Sequence, residues 1–204
     1  MKLYDSKRAP NPRRVRWFLA EKQAEIEIVP VDVFNGEHKT PDYIARAGLA
    51  NVPSLELDDG TTITESVAIC RYLESVFPEP NMFGRDPQEI AVVEMWTRRS
   101  ELLLANPLML SVRHTHPALA ALDTQVPAIA EANQANAQRA LKILDRRLGE
   151  SEFIGADRIT IADIVAFTAI DFARMIKFAP PEELSNVTRW AHGMRARPAA
   201  SAGV

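Results

Sequence analysis

The chain predicts an α/β domain followed by an all-α domain, and three observations predict it. Short strand-like and helix-like segments alternate over residues 1–77. Within them SLEL (54–57), Asp59-Gly60 and TTIT (61–64) form a hairpin signal. After PEPNMFGRDP (78–87), with three prolines and a glycine in ten residues, strand patterns stop and only helical periodicity continues.

KLYDS (2–6) is short and half apolar, a first strand. Asn11-Pro12 then precedes RRVRWFLAEK. Asn is a favoured N-cap and Pro suits the first helical position, so a helix is expected from Pro12 to Lys22, with Val15, Phe18 and Leu19 at helical spacing. IEIVPVDV (26–33) reads as a strand that Pro30 demotes to an edge or a bulge. A polar loop and a weak helix follow in NGEHKTPDYIARAG, then the hairpin. Ser66 to Phe77 is helical, with Val67, Ile69, Cys70, Leu73 and Val76 on a wide apolar face. The order is βαβ, a helix, then ββα. A βαβ unit requires parallel strands and a right-handed crossover. Closed by a hairpin and a last helix, it makes a four-stranded mixed sheet in a thioredoxin-like arrangement.

The domains are thus expected at 1–77, with a linker at 78–87, and at 88–204. In the second, residues 88–115 carry one long helical pattern and 125–148 another, with Gly149 as its C-cap. Thr160 and Asp163 have the spacing of a capping box, with Ile159 and Ile164 where a hydrophobic staple would sit. A final helix runs through NVTRWAHGMRAR to Pro198.

Composition excludes several functions. The net charge of −3 supplies no positive excess to follow a phosphate backbone, so a nucleic-acid partner is not expected. Cys70 is the one cysteine. It permits no intrachain disulfide, fits a reducing compartment, and rules out a metal site built on several cysteines. No segment reaches the ~18 apolar residues of a membrane span, and the N-terminus has no signal core. A soluble, cytoplasmic protein with no metal and no membrane partner is expected.

Val52-Pro53, Glu65-Ser66, Thr160-Ile161-Ala162-Asp163 and the terminal Trp190 to Arg197-Pro198 lie, in order and spacing, as in the cytosolic glutathione transferases. The chain resembles that family over almost its whole length, in its bacterial-type form. The resemblance implies a cis-proline at Pro53, which would leave the Val52 backbone free to pair with an extended peptide. Glutathione, the co-substrate, would be that peptide. Ser66 would cap a helix whose free N–H groups take the γ-glutamyl carboxylate, and Glu65 would face its ammonium. His38 or Lys39 would hold the glycyl carboxylate, and Asn51 would add a polar contact.

The residue that activates the thiol departs from the family pattern. The usual Ser or Cys falls on Ala9 or Pro10, and neither has a side-chain donor. Three candidates replace it. Asn11 is next to that position, and some bacterial and fungal branches use an asparagine there; its amide would donate to the thiolate, beside the positive end of the helix. Ser6 is the second, placed early for the alignment. Tyr4, within the first strand, is the third. Cys70 lies on an apolar helix face and reads as an inert buried thiol. Gly48-Leu49-Ala50 also departs from the family, which often carries Asn-Pro there.

The second substrate, a small hydrophobic electrophile, is expected against the long helix and the helix after Thr160, near Trp96, Leu103, Met109, His114 and Phe172. Each of these also suits plain core packing. His114 and His116 are two apart, on different faces of a helix, and do not read as a metal pair. The resemblance further implies a homodimer and a role in detoxification; in such a dimer the Arg98-Arg99 pair on the long helix is expected to face a partner's acidic edge. Two alternatives share the fold: a glutathione-dependent disulfide or peroxide reductase, and a non-catalytic glutathione-binding or scaffold member.

Overall fold

The computed structural model describes residues 1–202. It divides into two compact units. One is Met1–Asn81 together with residues 198–202, and the other is Met82–Arg197.

The first unit contains β1 (Lys2–Asp5), α1 (Pro10–Glu21), β2 (Glu27–Pro30), α2 (Pro41–Ala47), β3 (Ser54–Glu56), β4 (Thr62–Thr64) and α3 (Ser66–Val76). The sheet order is β2-β1-β3-β4. β1 runs parallel to β2 and antiparallel to β3, and β4 is antiparallel to β3. Side chains alternate across a strand, so β1 has two distinct faces. Leu3 and Asp5 point towards α1, where Asp5 pairs with Arg16. Tyr4 points the other way and meets Tyr43 of α2 edge-on at 6.1 Å. Leu3, Val15, Trp17, Phe18, Leu55, Ile69, Cys70 and Leu73 fill the core on the α1 side. A smaller cluster of Tyr4, Val31, Tyr43 and Ala47 closes the other.

β2 is shorter than expected and sits at the sheet edge, ending on Pro30. An edge strand tolerates a residue that cannot donate. The next amide, Val31 N–H, still reaches Asp5 O at 2.7 Å. Helix α1 begins two residues earlier than expected: Ala9 is its N-cap and Pro10 its first residue. The reason is that Pro10 already has the φ a helix start needs and loses no bond there. Asn11 is therefore inside the first turn and does not cap. At α3 the cap is Glu65, with φ 66° and ψ 113°, and Ser66 is the first helical residue. The expected cap at Ser66 is displaced by one position. The short helical turn Pro198–Ser201 packs on α1, where Arg13 donates to Ala200 O at 3.2 Å.

The second unit is helical. α4 (Pro87–Arg99) passes through a π-helical turn, Ser100–Ala105, into α5 (Asn106–Arg113), so the single long helix expected over 88–115 is interrupted. Pro107 supplies the cause. It has no N–H and its ring crowds the carbonyl four residues back, so the preceding turn widens. α6 (Pro127–Glu150) runs on past Gly149 rather than ending at it. That glycine serves close approach: a Cβ there would lie 3.1 Å from Asn186 Nδ2. Asp145 of α6 accepts from Asn186 N–H and Val187 N–H, both at 3.0 Å, and so caps the start of α8 (Ser185–Ala196) from a neighbouring helix.

α7 (Ile161–Ala173) is buried on nearly every side, as a helix apolar all round must be. Its start is held by Asp163, which is fully buried. One carboxylate oxygen accepts from Thr160 N–H and Thr160 Oγ1 at 2.9 and 2.8 Å; the other accepts from Ile154 N–H and Trp190 Nε1 at 2.9 and 3.0 Å. The Thr160–Asp163 box is thus also the joint between three segments. Among the described residues no helix is long and apolar enough to cross a membrane.

Candidate functional site

Sheet register assembles the site in the first unit. β1 and β3 are antiparallel with Tyr4 opposite Ser54, and Ser54 is opposite Thr64. The C-terminal ends of β1 and β4 and the N-terminal end of β3 therefore share one edge of the sheet. β2 is parallel to β1 and ends there too. Four segments leave from this edge: Ser6 to Asn11, the stretch from Val31 to Lys39, Asn51 to Pro53, and Glu65-Ser66. Residues spread over sixty positions of sequence are brought to one rim.

The Val52-Pro53 bond is cis. Val52 lies two residues before the first laddered residue of β3, half-buried, with Asn51 exposed beside it. The Asn51 carbonyl is held by Tyr43 Oη, which donates to it at 2.7 Å. Burial pushes the Tyr43 hydroxyl up to about 12, so it remains a donor at every physiological pH. The sequence singled out Asn51 but not Tyr43. Tyr43 three residues after Thr40, the N-cap of α2, was the available signal for an anchored aromatic.

At the α3 mouth Glu65 is exposed and Ser66 is buried. Glu65 is held at positive φ without being glycine, and its side chain makes no capping bond. Ile69 N–H reaches Glu65 O at 2.9 Å, while the N–H groups of the first turn have no intrahelical acceptor. Below the mouth, Arg14 Nη1 donates to Ser66 Oγ at 3.2 Å. Arg14 is 2% exposed. Its position four residues before Phe18, on the apolar face of α1, was the sequence signal that it would be buried.

The α1 mouth is unusual in its donors. Pro10 and Pro12 have none, and Arg13 N–H reaches Ala9 O at 3.3 Å. Among the first three helical residues Asn11 alone carries a main-chain N–H. Its side-chain Oδ1 is buried without a hydrogen-bond partner. Ser6 is half-buried at the other end of the loop, its carbonyl accepting from Ala9 N–H at 2.9 Å. Arg16 ties this loop down by pairing with Asp5 and donating to Lys7 O at 2.8 Å. Tyr4 Oη is committed to Glu56 Oε2 at 2.7 Å, and burial raises its pKa. Cys70 is fully buried, which pushes its thiol far up.

His38 and Lys39 separate. His38 is buried, its Nδ1 has no partner, and burial followed by the nearby Lys39 charge lowers its pKa. Lys39 is exposed.

In the second unit Trp96 and Leu103 line one small cavity with Arg99, Leu104, Ala140, Ile143 and Leu144. The Arg99 and Arg147 guanidiniums stand 4.7 and 5.7 Å from the Trp96 ring, within cation–π range. Met109, His114 and Phe172 are half-buried and do not line that cavity. His114 Nδ1 accepts from Val126 N–H at 3.2 Å, joining the end of α5 to the start of α6. His116 Nδ1 accepts from Ala118 N–H at 3.3 Å. Arg98 pairs with Glu101 on its own helix at 2.7 Å. Among the described residues no group of three or more His, Cys, Asp or Glu side chains is placed to hold a metal.

A thioredoxin-like unit whose rim carries a cis-proline lip and two helix mouths, followed in the chain by an all-helical unit, defines the class: the fold of the two-domain transferases. Family models place it further. The glutathione S-transferase N-terminal domain matches residues 9–76 and the glutathione S-transferase C-terminal domain matches residues 104–198. Glutathione S-transferase 2 of Saccharomyces cerevisiae is 33% identical over 203 residues, covering 97% of this chain and 87% of that protein. Glutathione S-transferase F13 of Arabidopsis thaliana is 32% identical over 98% of this chain and 92% of its own length. Among solved structures, a glutathione S-transferase domain-containing protein from Marinobacter aquaeolei superposes with TM-score 0.93 at 40% identity, over 98% of this chain and all of that one. Gtt2 from S. cerevisiae does so with TM-score 0.92 at 32% identity over the full length of both. The chain belongs to the glutathione S-transferase family.

Proposed function

We propose that the protein binds glutathione along the rim of its sheet and activates the thiol for attack on a small hydrophobic electrophile. The observation that carries this reading is the register-driven convergence of Val52-Pro53, Glu65-Ser66 and the α1 mouth on one edge. A short peptide is recognised there by three chemistries at the right ends. The Val52 backbone pairs with the cysteinyl segment as a strand would. The α3 mouth and Ser66 take the γ-glutamyl carboxylate, and Glu65 takes its ammonium. Lys39 holds the glycyl carboxylate. His38 is buried and its pKa is lowered, chiefly by that burial, which suits it less to hold a carboxylate.

The α1 mouth meets the sulfur. Asn11 supplies its one free main-chain N–H and a side-chain amide there, which favours the thiolate over the thiol. Ser6 is the second donor. The released proton passes to water; the thiolate forms a new S–C bond, and the leaving group departs with its electron pair. The electrophile is placed against the helical unit, with Trp96, Leu103, Met109, His114 and Phe172 as its candidate contacts. The working form is a cytoplasmic homodimer with a role in detoxification.

The test is calorimetric titration of glutathione into the wild-type protein, Glu65→Ala/Ser66→Ala and Asn11→Ala, with turnover assayed on a chlorinated aromatic and on a mixed disulfide of glutathione. The double variant is expected to lose affinity by about tenfold or more, the scale of hydrogen bonds to charged groups. Asn11→Ala is expected to keep affinity and lose turnover. Turnover of the disulfide alone would replace conjugation by reduction. Glutathione binding with neither activity would assign a binding role. No heat with the wild-type protein would refute the reading.

A further inference from the structure

We infer that Arg14 is a positioning residue for the γ-glutamyl end of glutathione, acting through the Ser66 hydroxyl. The inference rests on the functional reading above and deepens it.

A serine hydroxyl has one hydrogen to donate and two lone pairs to accept with. Arg14 Nη1 occupies one lone pair of Ser66 Oγ at 3.2 Å, from the buried side. Both residues are almost wholly shielded, Arg14 at 2% and Ser66 at 5% exposure. The hydroxyl hydrogen cannot point at a guanidinium, which has only donors. It is directed away from Arg14. Ser66 is the first residue of α3, so the same hydroxyl stands beside the free N–H groups of that helix mouth.

The charge acts in the same direction. A guanidinium next to the positive end of a helix adds to a field that favours an anion at that spot, and in a shielded setting the effect is stronger than in water. It also polarises the hydroxyl it donates to, making Ser66 a better donor to a carboxylate. Arg14 comes from α1 and Ser66 from α3, fifty-two positions apart. The contact therefore links the helix that meets the sulfur to the helix that meets the γ-glutamyl carboxylate. A ligand with no carboxylate at that position gains nothing from Arg14.

The experiment compares two ligands on the full-length protein by calorimetry: glutathione, and the same tripeptide lacking the γ-glutamyl α-carboxylate, with γ-aminobutyrate in its place. The proteins are wild type, Arg14→Met, Arg14→Lys, Ser66→Ala and Arg14→Met/Ser66→Ala. Arg14→Met is expected to weaken glutathione about tenfold and to leave the decarboxylated analogue within twofold of wild type. Arg14→Lys keeps a charge without the planar fork and is expected to fall between. The double variant is expected to be within twofold of the weaker single one, because one residue acts through the other. Equal losses for both ligands, or full additivity, would overturn the inference. Should Arg14→Met not fold, Arg14→Lys carries the test: an unchanged ratio of the two affinities overturns it. Wild-type protein that binds glutathione while the Arg14 variants keep its affinity sinks the inference alone. Wild-type protein that does not bind glutathione sinks the functional reading and this inference together.

Discussion

Asp163→Ala removes a carboxylate that no solvent reaches and strands the groups it served. Four hydrogen bonds disappear: those from Thr160 N–H, Thr160 Oγ1, Ile154 N–H and Trp190 Nε1. The Thr160 hydroxyl can rotate to another partner. The two amides and the indole cannot. A buried donor left without an acceptor costs about 1–3 kcal/mol, and loss of an N-terminal cap costs about 1 kcal/mol. The alanine leaves space for a water that recovers part of this. The expected loss is about 3–5 kcal/mol, a large share of the ~5–15 kcal/mol that holds a typical domain. Asp163→Asn keeps the volume and one accepting oxygen but turns an NH₂ towards two donors, and about 2–4 kcal/mol is expected. Urea unfolding followed by circular dichroism measures both, as a lower midpoint at unchanged slope. A loss under about 1 kcal/mol for Asp163→Ala would refute the reasoning, because it would mean that the joint between Ile154, Thr160 and Trp190 does not depend on the carboxylate.

Gly84 has φ 106° and packs on the backbone, where a Cβ would lie 2.6 Å from Ile90 Cα and 2.8 Å from Glu89 C. Gly84→Ala is expected to destabilise by at least about 2 kcal/mol, strain and overpacking together, read as a lower melting temperature. Arg158 donates to both oxygens of Glu89 at 2.7 and 2.9 Å and, chiefly by those bonds, holds the Glu89 pKa down to about 2. A carboxylate with a lowered folded pKa adds stability above its unfolded pKa and loses it as the pH falls through the folded one. Stability is therefore expected to decline between about 4.5 and 2, by about 1 kcal/mol from this partly solvated pair; Arg158→Gln should flatten that part of the urea-midpoint profile. His38 is the opposite kind of group, a histidine whose folded pKa is lowered by burial. The unfolded chain then binds the extra proton, so stability falls as the pH drops below the unfolded value of about 6.5 and levels off once the folded pKa is passed. His38→Gln is expected to remove that slope near neutrality, and an unchanged profile would show that His38 is not the group responsible.

The sequence by itself determined what short windows encode. The hairpin at Asp59-Gly60, the edge strand ending at Pro30, the buried face of α3 and the Thr160–Asp163 box are all local chemistry, legible because turn residues, periodicity and capping pairs act within a few positions. Val52-Pro53 and Glu65-Ser66 became candidate binding residues through the resemblance to the glutathione transferases, which their local chemistry alone does not supply. Tertiary structure alone decided how these pieces meet. Two prolines moved the start of α1 back and left Asn11 inside the first turn. Pro107 opened a π turn in what reads as one continuous helix. Gly149 proved to be a point of helix contact rather than a helix end, because Asn186 comes to it from α8. Arg14 became part of the rim through Ser66, and Asp163 became a joint through Trp190, twenty-seven residues away. A shielded polar group takes whichever partner the packed backbone brings within about 3 Å. That choice depends on sheet register and helix placement, and no local window of sequence contains it.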